Sequence, residues 1–420
     1  MQTRFLAPVL GTISLVAGGF TTLAINGSRN GQVRRLTKRA VPRDMGKSST
    51  KIVNEHEPKT VAVLGGLIAL IAAEVTERFT FKLMVDRMES YRYFLMQMST
   101  FLYIPPMFCI VGYKATQSDF IDEEVTEFPK SKFFIMGMLD LLQSILIFLP
   151  GGRTPATLTV ILMQASIPIT MFFAQILLKE VYTRYQYIGG SIILIGILIG
   201  LIPVFSMVMN DVFEEQEMAW NSFCYFLAAV PGSLSVIYKE RALATQPMDV
   251  YYLNAWVAVY QFIGGLLLAP IAFDIPSLHL DQRISGLECL VNGVSEVRTD
   301  KCHLGFGLLL LFLLSKVVTF LVLGFVFRYT TLSVLYGSYT MALPIAFVIL
   351  AIYQSSDQAN AIDSESSIWT NAFSCGVVLL GLILYRLSPE AGSEATTMSA
   401  AEKEAQSLLE DSSQYGLKYT

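Results

Sequence analysis

The chain reads as an all-α integral membrane protein whose ten transmembrane helices form two inverted five-helix repeats. Three observations carry that expectation. Its 420 residues are 53% hydrophobic and only 15% charged, too apolar for an ordinary soluble domain. Ten stretches approach the roughly 20 apolar residues that a helix needs to cross the hydrocarbon core. The fourth and ninth of them echo each other: TLTVILMQASIPI ends on Pro168 and Ile169, and TLSVLYGSYTMALPI ends on Pro344 and Ile345.

Residues 1–59 form a basic targeting segment. Arg4 precedes an apolar run, and Ala17 and Gly19 stand before Phe20 as in a signal-peptidase context. An Arg- and Ser-containing stretch with few acids follows, as in a transit peptide; a signal anchor or an eleventh span is the other reading. The first repeat, 60–209, holds spans at 60–85, 93–113, 133–149, 156–178 and 187–209. The second, 210–387, holds spans at 220–238, 250–273, 305–327, 332–353 and 368–385. Between its second and third spans, the loop 274–304 carries Cys289 and Cys302, which can close a disulfide if the loop faces an oxidising compartment. Cys109, Cys224 and Cys375 lie in apolar runs and read as ordinary buried thiols.

If the segment is retained, the tail cations Arg29, Arg34, Arg35, Lys38, Arg39, Arg43, Lys47 and Lys51 place it in the cytosol by the positive-inside rule, and ten spans then put the C-terminus there too; cleavage of the segment removes that argument. Residues 388–420 form a polar, disordered tail with an acidic dileucine pattern, Glu404 to Leu408-Leu409, of the kind that sorts proteins to lysosomes and vacuoles. The two tails point to different organelle membranes, a plastid envelope or a vacuolar or lysosomal membrane.

Inverted repeats place a substrate site at the repeat interface near the midplane. Pro168 and Pro344 have no N–H for the carbonyls of Gln164 and Thr340, and a freed carbonyl at membrane depth must line a wet cavity or find another partner. An ionisable residue inside a span is by default a functional candidate. Asp140 is the acid nearest a span's middle, with Gln143 and Ser144 on its face. It is the first choice for a group that takes up a proton on one side and releases it on the other. Glu74 and Arg78 are spaced to pair on one helix face, or with Glu77 to line the cavity and set its charge selectivity. Lys239 and Glu240 close span six, as interface residues or as cavity residues. Lys316, central in span eight, needs an acidic partner, for which Asp140 and Glu77 are the candidates. Gln164, Asn254, Gln261, Tyr336, Ser338 and Tyr339 complete the cavity candidates. Gly189, Gly190, Gly196 and Gly200 allow close helix packing.

The three histidines stand far apart, and neither metal-ligand spacing nor a nucleotide-binding glycine loop is present. No cofactor, no metal and no nucleic acid is expected; the partners are a small-molecule solute, protons and the lipid bilayer. An intramembrane enzyme would need two aspartates or a Ser/His pair at depth, and Asp140 stands alone. A non-transporting receptor or scaffold is the alternative, though it requires neither matched prolines nor charges in several helices.

The string MLD…SIL.F…R…SIPI.MFF within 138–173 resembles the chloroquine-resistance-transporter-like family of the drug/metabolite transporter superfamily. So does SVIYKERALATQPMDVYYLNA at 235–255, followed by Gln261 and Pro270. The resemblance implies a ten-span secondary transporter with a five-plus-five inverted repeat. Family members move amino acids, peptides, cationic drugs, or glutathione and its precursor across vacuolar or plastid membranes. It thus implies a secondary active transporter of small organic solutes, working by alternating access and coupled to protons. Two departures stand out. Cys289 and Cys302 are fewer than the loop cysteines of the parasite members. Glu77-Arg78 falls where those members carry a polar pair whose charge governs drug export, so no drug phenotype carries over.

Overall fold

A computed structural model describes residues 60–117, 128–208, 213–245, 248–272, 280–293, 302–329, 332–357 and 363–387. The targeting segment and the dileucine tail lie outside the described residues. Within them every regular element is helical. Where no water is at hand, a helix satisfies each backbone N–H and C=O within its own segment.

The elements are α1 (Thr60–Arg87), α2 (Arg92–Gln117), α3 (Lys130–Phe148), α4 (Ala156–Leu162), α5 (Ser166–Leu177) and α6 (Arg184–Val208). They continue with α7 (Phe213–Thr245), α8 (Val250–Ala272), α9 (Leu280–Asn292), α10 (Gly305–Tyr329), α11 (Leu332–Asp357) and α12 (Asp363–Leu387). Eight helical segments among the described residues are long and apolar enough to cross a membrane. The other two expected spans, α1 and α11, are not among these eight within the described residues. In α1, Glu74, Glu77, Arg78, Lys82, Asp86 and Arg87 crowd one helix with charge. In α11 the described apolar run is only Thr340–Ser355.

Three further features depart from the sequence reading. The fourth expected span is one apolar crossing, Ala156–Leu177, that tightens into a 3-10 turn at Met163–Ala165, between α4 and α5 just before Pro168. Pro344 causes no such turn, and α11 runs through it. The cysteine loop contains a helix, α9, whose end is closed by a disulfide between Cys289 and Cys302, the pair the sequence offered, with Cα atoms 5.1 Å apart. Cys109, expected to be buried, is exposed on the outer face of α2, while Cys224 and Cys375 are buried.

The packing is organised in pairs. The most extensive contacts join α6 to α12 and α1 to α10. Next, α3 packs on α7 and on α8, and α8 on α2. Helix α7 also packs on α5, α1 on α11, and α4 on α11. The α6–α12 seam is closed by small residues. A Cβ at Gly189 would come within 2.6 Å of the Tyr385 backbone nitrogen, and one at Gly381 within 2.8 Å of the Gly189 carbonyl. Ser374 Oγ donates to the Gly196 carbonyl at 2.6 Å, adding a polar tie along the same seam. Without a hydrophobic difference between lipid and side chain, such close backbone approach is what holds two helices together.

Gly189→Ala therefore overpacks a backbone-to-backbone crossing, at a cost of about 1–3 kcal/mol. Gly376→Ala, on the same helix pair but with nothing within 4 Å of its added Cβ, costs little. Thermal unfolding in detergent should show a clear drop for the first variant and none for the second.

Candidate functional site

The polar residues of the buried interior gather on α1, α3, α4, α7, α10 and α11. Glu74 and Arg78 are one turn apart on α1, and both are buried. Arg78 Nη2 lies 3.5 Å from Glu74 Oε2. One turn further, Lys82 donates to Asp86 at 2.5 Å and to the Gly152 carbonyl at 3.3 Å, which ties α1 to the turn ahead of α4. Between these pairs a small cavity opens. Glu77, Arg78, Phe81 and Lys82 line it from α1, Thr159, Val160 and Met163 from α4 and the turn after it, Phe312 from α10 and Leu350 from α11.

Asp140 sits on α3 beside this interior and is almost fully buried. Two residues of α7 hold it. Lys239 Nζ is 2.6 Å from Oδ2, and Ser235 Oγ donates to Oδ1 at 2.5 Å. Lys239 is 0% exposed. Lys239 and Glu240 were open between the interface end of span six and the cavity; both are buried, because α7 continues to Thr245. Lys316 is not the partner of Asp140. Its ammonium rests 5.1 Å from the centre of the Tyr103 ring and 5.3 Å from that of Phe312. No carboxylate among the described residues is within ion-pair distance of it. Rings stabilise a buried cation less than a carboxylate does, and desolvation makes the difference large.

The remaining candidates divide. Gln143 fills the space over Gly232 of α7, where an added Cβ would meet its Nε2 at 2.5 Å. Gln261 Nε2 donates to Ser144 Oγ at 2.9 Å and links α8 to α3 next to Asp140. Gln164 is fully buried at the α4–α5 turn, its Nε2 3.4 Å from the Val160 carbonyl, and Pro168 is buried one turn on. Asn254 donates to its own helix, at the Val250 carbonyl 3.0 Å away, and joins no cluster. Pro344 is buried within α11. The side chains of Tyr336, Ser338 and Tyr339 lie outside the described residues.

Sequence reasoning passed over several participants. Ser235 stands one turn before Lys239, the spacing that lets both reach one carboxylate. A second polar knot joins α4, α11 and α12. Gln354 Oε1 accepts from the Thr157 backbone at 3.2 Å and from its hydroxyl at 3.0 Å, and Asn371 donates to that hydroxyl at 2.9 Å. Gln354 and Asn371 are polar residues inside apolar stretches, the same signal that singled out Gln143.

The chain matches the family described as CRT-like, chloroquine-resistance transporter-like, over residues 63–385. It belongs to the CRT-like family. Among its relatives, Crt homolog 1 of Dictyostelium discoideum is 28% identical over 72% of this chain and 70% of its own length. The chloroquine resistance transporter of Toxoplasma gondii is 25% identical over 79% of this chain but 39% of its own. The chloroquine resistance transporter of Plasmodium falciparum is 31% identical over 42% of each chain. The matched stretch of this CRT-like chain holds every buried charge described above. Its membership and its apolar helices make it a multi-pass membrane protein of a transporter family.

Removing one member of the Asp140–Lys239 pair strands the other. Lys239→Met should cost on the order of 3–5 kcal/mol, and adding Asp140→Asn to it should recover much of that loss. Thermal unfolding of the single and double variants in detergent measures both effects.

Proposed function

We propose that this CRT-like chain is a secondary active transporter that carries small organic solutes across an organelle membrane by alternating access, driven by protons. The solute class follows the family resemblance: amino acids, short peptides, glutathione or related thiols, and organic cations. The observation that carries the reading is the concentration of buried charge around a cavity where α1, α4, α10 and α11 meet. Such charges are costly in a membrane protein and are retained where a solute or ion passes.

The packing supports a two-fold arrangement of ten spans, 60–209 and 210–387, with α4 and α5 counted as one. Replacing each span by its counterpart five positions along turns the α1–α10 contact into α7–α3, and the α7–α5 contact into α1–α11. The α2–α8, α6–α12 and α4–α11 contacts map onto themselves. A two-fold axis in the membrane plane has this effect, and it puts the cavity at the repeat interface. The tightened turn at Met163–Ala165 carries Met163 on the wall of this cavity, next to the buried Gln164.

In this reading Asp140 carries the proton. Protonation removes the charge that holds Lys239, so proton uptake loosens α3 from α7 and couples the gradient to movement. The organelle is a plastid or a vacuole, which a C-terminal fluorescent fusion distinguishes.

Uptake into proteoliposomes tests the proposal, with a panel of labelled amino acids, short peptides and glutathione. At least one solute should accumulate under an imposed pH gradient and cease to do so when a protonophore collapses it. Asp140→Asn should keep solute exchange but lose gradient-driven accumulation. Uptake no better than in empty liposomes, or an unchanged pH dependence in Asp140→Asn, contradicts it.

A further inference from the structure

Asp140 on α3 stands as far before Pro168 as Lys316 on α10 stands before Pro344. If the halves are counterparts, the same position carries an acid in one and a base in the other. Their neighbours are transposed as well. Asp140 faces α7, the first helix of the second half, and Lys316 faces α1, the first helix of the first half. What Asp140 meets on α7 is the cation Lys239. What stands level with Lys316 on α1 is the anion Glu77. The antiparallel pairing fixes this level: Phe81 and Phe312 are in ring contact at 5.8 Å, and Glu77 and Lys316 are each one turn deeper along their helices.

The two pairs are in different states. Asp140 and Lys239 are in contact at 2.6 Å. Glu77 and Lys316 are both buried, each one turn from the Phe81–Phe312 contact, yet neither makes an ion pair among the described residues. Lys316 is instead turned onto the rings of Tyr103 and Phe312. The backbone shows an asymmetry of the same sense. Helix α3 packs broadly on α8, whereas its counterpart α10 touches α2 only slightly. The other buried charges of α1 are accounted for, Glu74 by Arg78 and Lys82 by Asp86.

We infer that Glu77 and Lys316 form the two-fold counterpart of the Asp140–Lys239 pair, and that the two pairs close alternately as the cavity opens to one side of the membrane and then to the other. The inference rests on the transport reading above and names two charge locks that would define its end states. In the state described here the Asp140–Lys239 lock is shut. In the opposite state Lys316 leaves the rings for Glu77, and Asp140 and Lys239 separate. In each state one pair is closed and the other is apart, and in the state described here the rings of Tyr103 and Phe312 hold the cation of the open pair.

The test removes each lock as a neutral pair, which avoids an unpaired buried charge: Asp140→Asn with Lys239→Met, and Glu77→Gln with Lys316→Met. Both are made in a chain carrying Thr159→Cys as a cavity reporter and Cys109→Ser to remove the exposed thiol. An impermeant maleimide is applied to right-side-out and to inverted vesicles, and the ratio of the two labelling rates is read. The two neutral pairs should shift this ratio in opposite directions, each on the order of tenfold. Charge exchange, Glu77→Lys with Lys316→Glu, should restore the ratio and the uptake that either single change abolishes. Shifts in the same direction, or no rescue by the exchange, overturn the locks while uptake by the unaltered chain still stands. No uptake by the unaltered chain overturns the transport reading and the locks with it.

Discussion

A carboxylate or an ammonium buried alone in the interior of a helical membrane protein carries a large desolvation cost. The Asp140–Lys239 contact answers that constraint, and much of the arrangement around it follows. The pair fixes the rotation of α3 against α7. That rotation turns Ser235 toward the same carboxylate, lays Gln143 over Gly232, and brings Ser144 to Gln261 on α8. Burial makes the interaction strong in its consequences, because either partner alone would carry its full desolvation cost. A hydrophobic pair of similar size would hold the helices as firmly. The retention of charge here therefore points to use rather than to stability.

The α1 helix shows the same economy of charge in a different form. Glu74, Arg78, Lys82 and Asp86 stand at one-turn spacing, so Glu74 meets Arg78 and Lys82 meets Asp86 within a single helix. These local pairs allow a charged helix to pack against α10 and α11. Glu77 is the member of this ladder that faces the cavity without such a neighbour in contact. Around it, Thr159, Met163 and Phe312 give the cavity a mixed wall of hydroxyl, thioether and ring.

Much of this was legible in the sequence, and what was not has physical reasons. Helix positions followed from runs of apolar residues, and the importance of Asp140 followed from the cost of an acid in such a run. Its partner did not follow. Lys316 looked more central than Lys239 because span six appeared to end at Tyr238, whereas α7 continues to Thr245 and keeps Lys239 inside. Helix ends are poorly marked when the chain leaves a membrane through polar residues that are still helical. Pro168 and Pro344 looked equivalent by neighbourhood. Among the described residues, the chain nevertheless tightens into a 3-10 turn before Pro168, at Met163–Ala165, and not before Pro344. Cys109 read as buried because an apolar run marks burial in protein and exposure to lipid alike.

The central claim is that a closed Asp140–Lys239 pair, embedded at membrane depth, sets the packing of α3 on α7. Electron cryomicroscopy of the protein in lipid nanodiscs tests it most directly. The account predicts at least one class of particles in which α1, α3, α7 and α10 all lie within the bilayer and the Asp140 carboxylate touches the Lys239 ammonium. A structure in which α1 lies outside the bilayer, or in which Asp140 faces water away from Lys239 in every class, would contradict it.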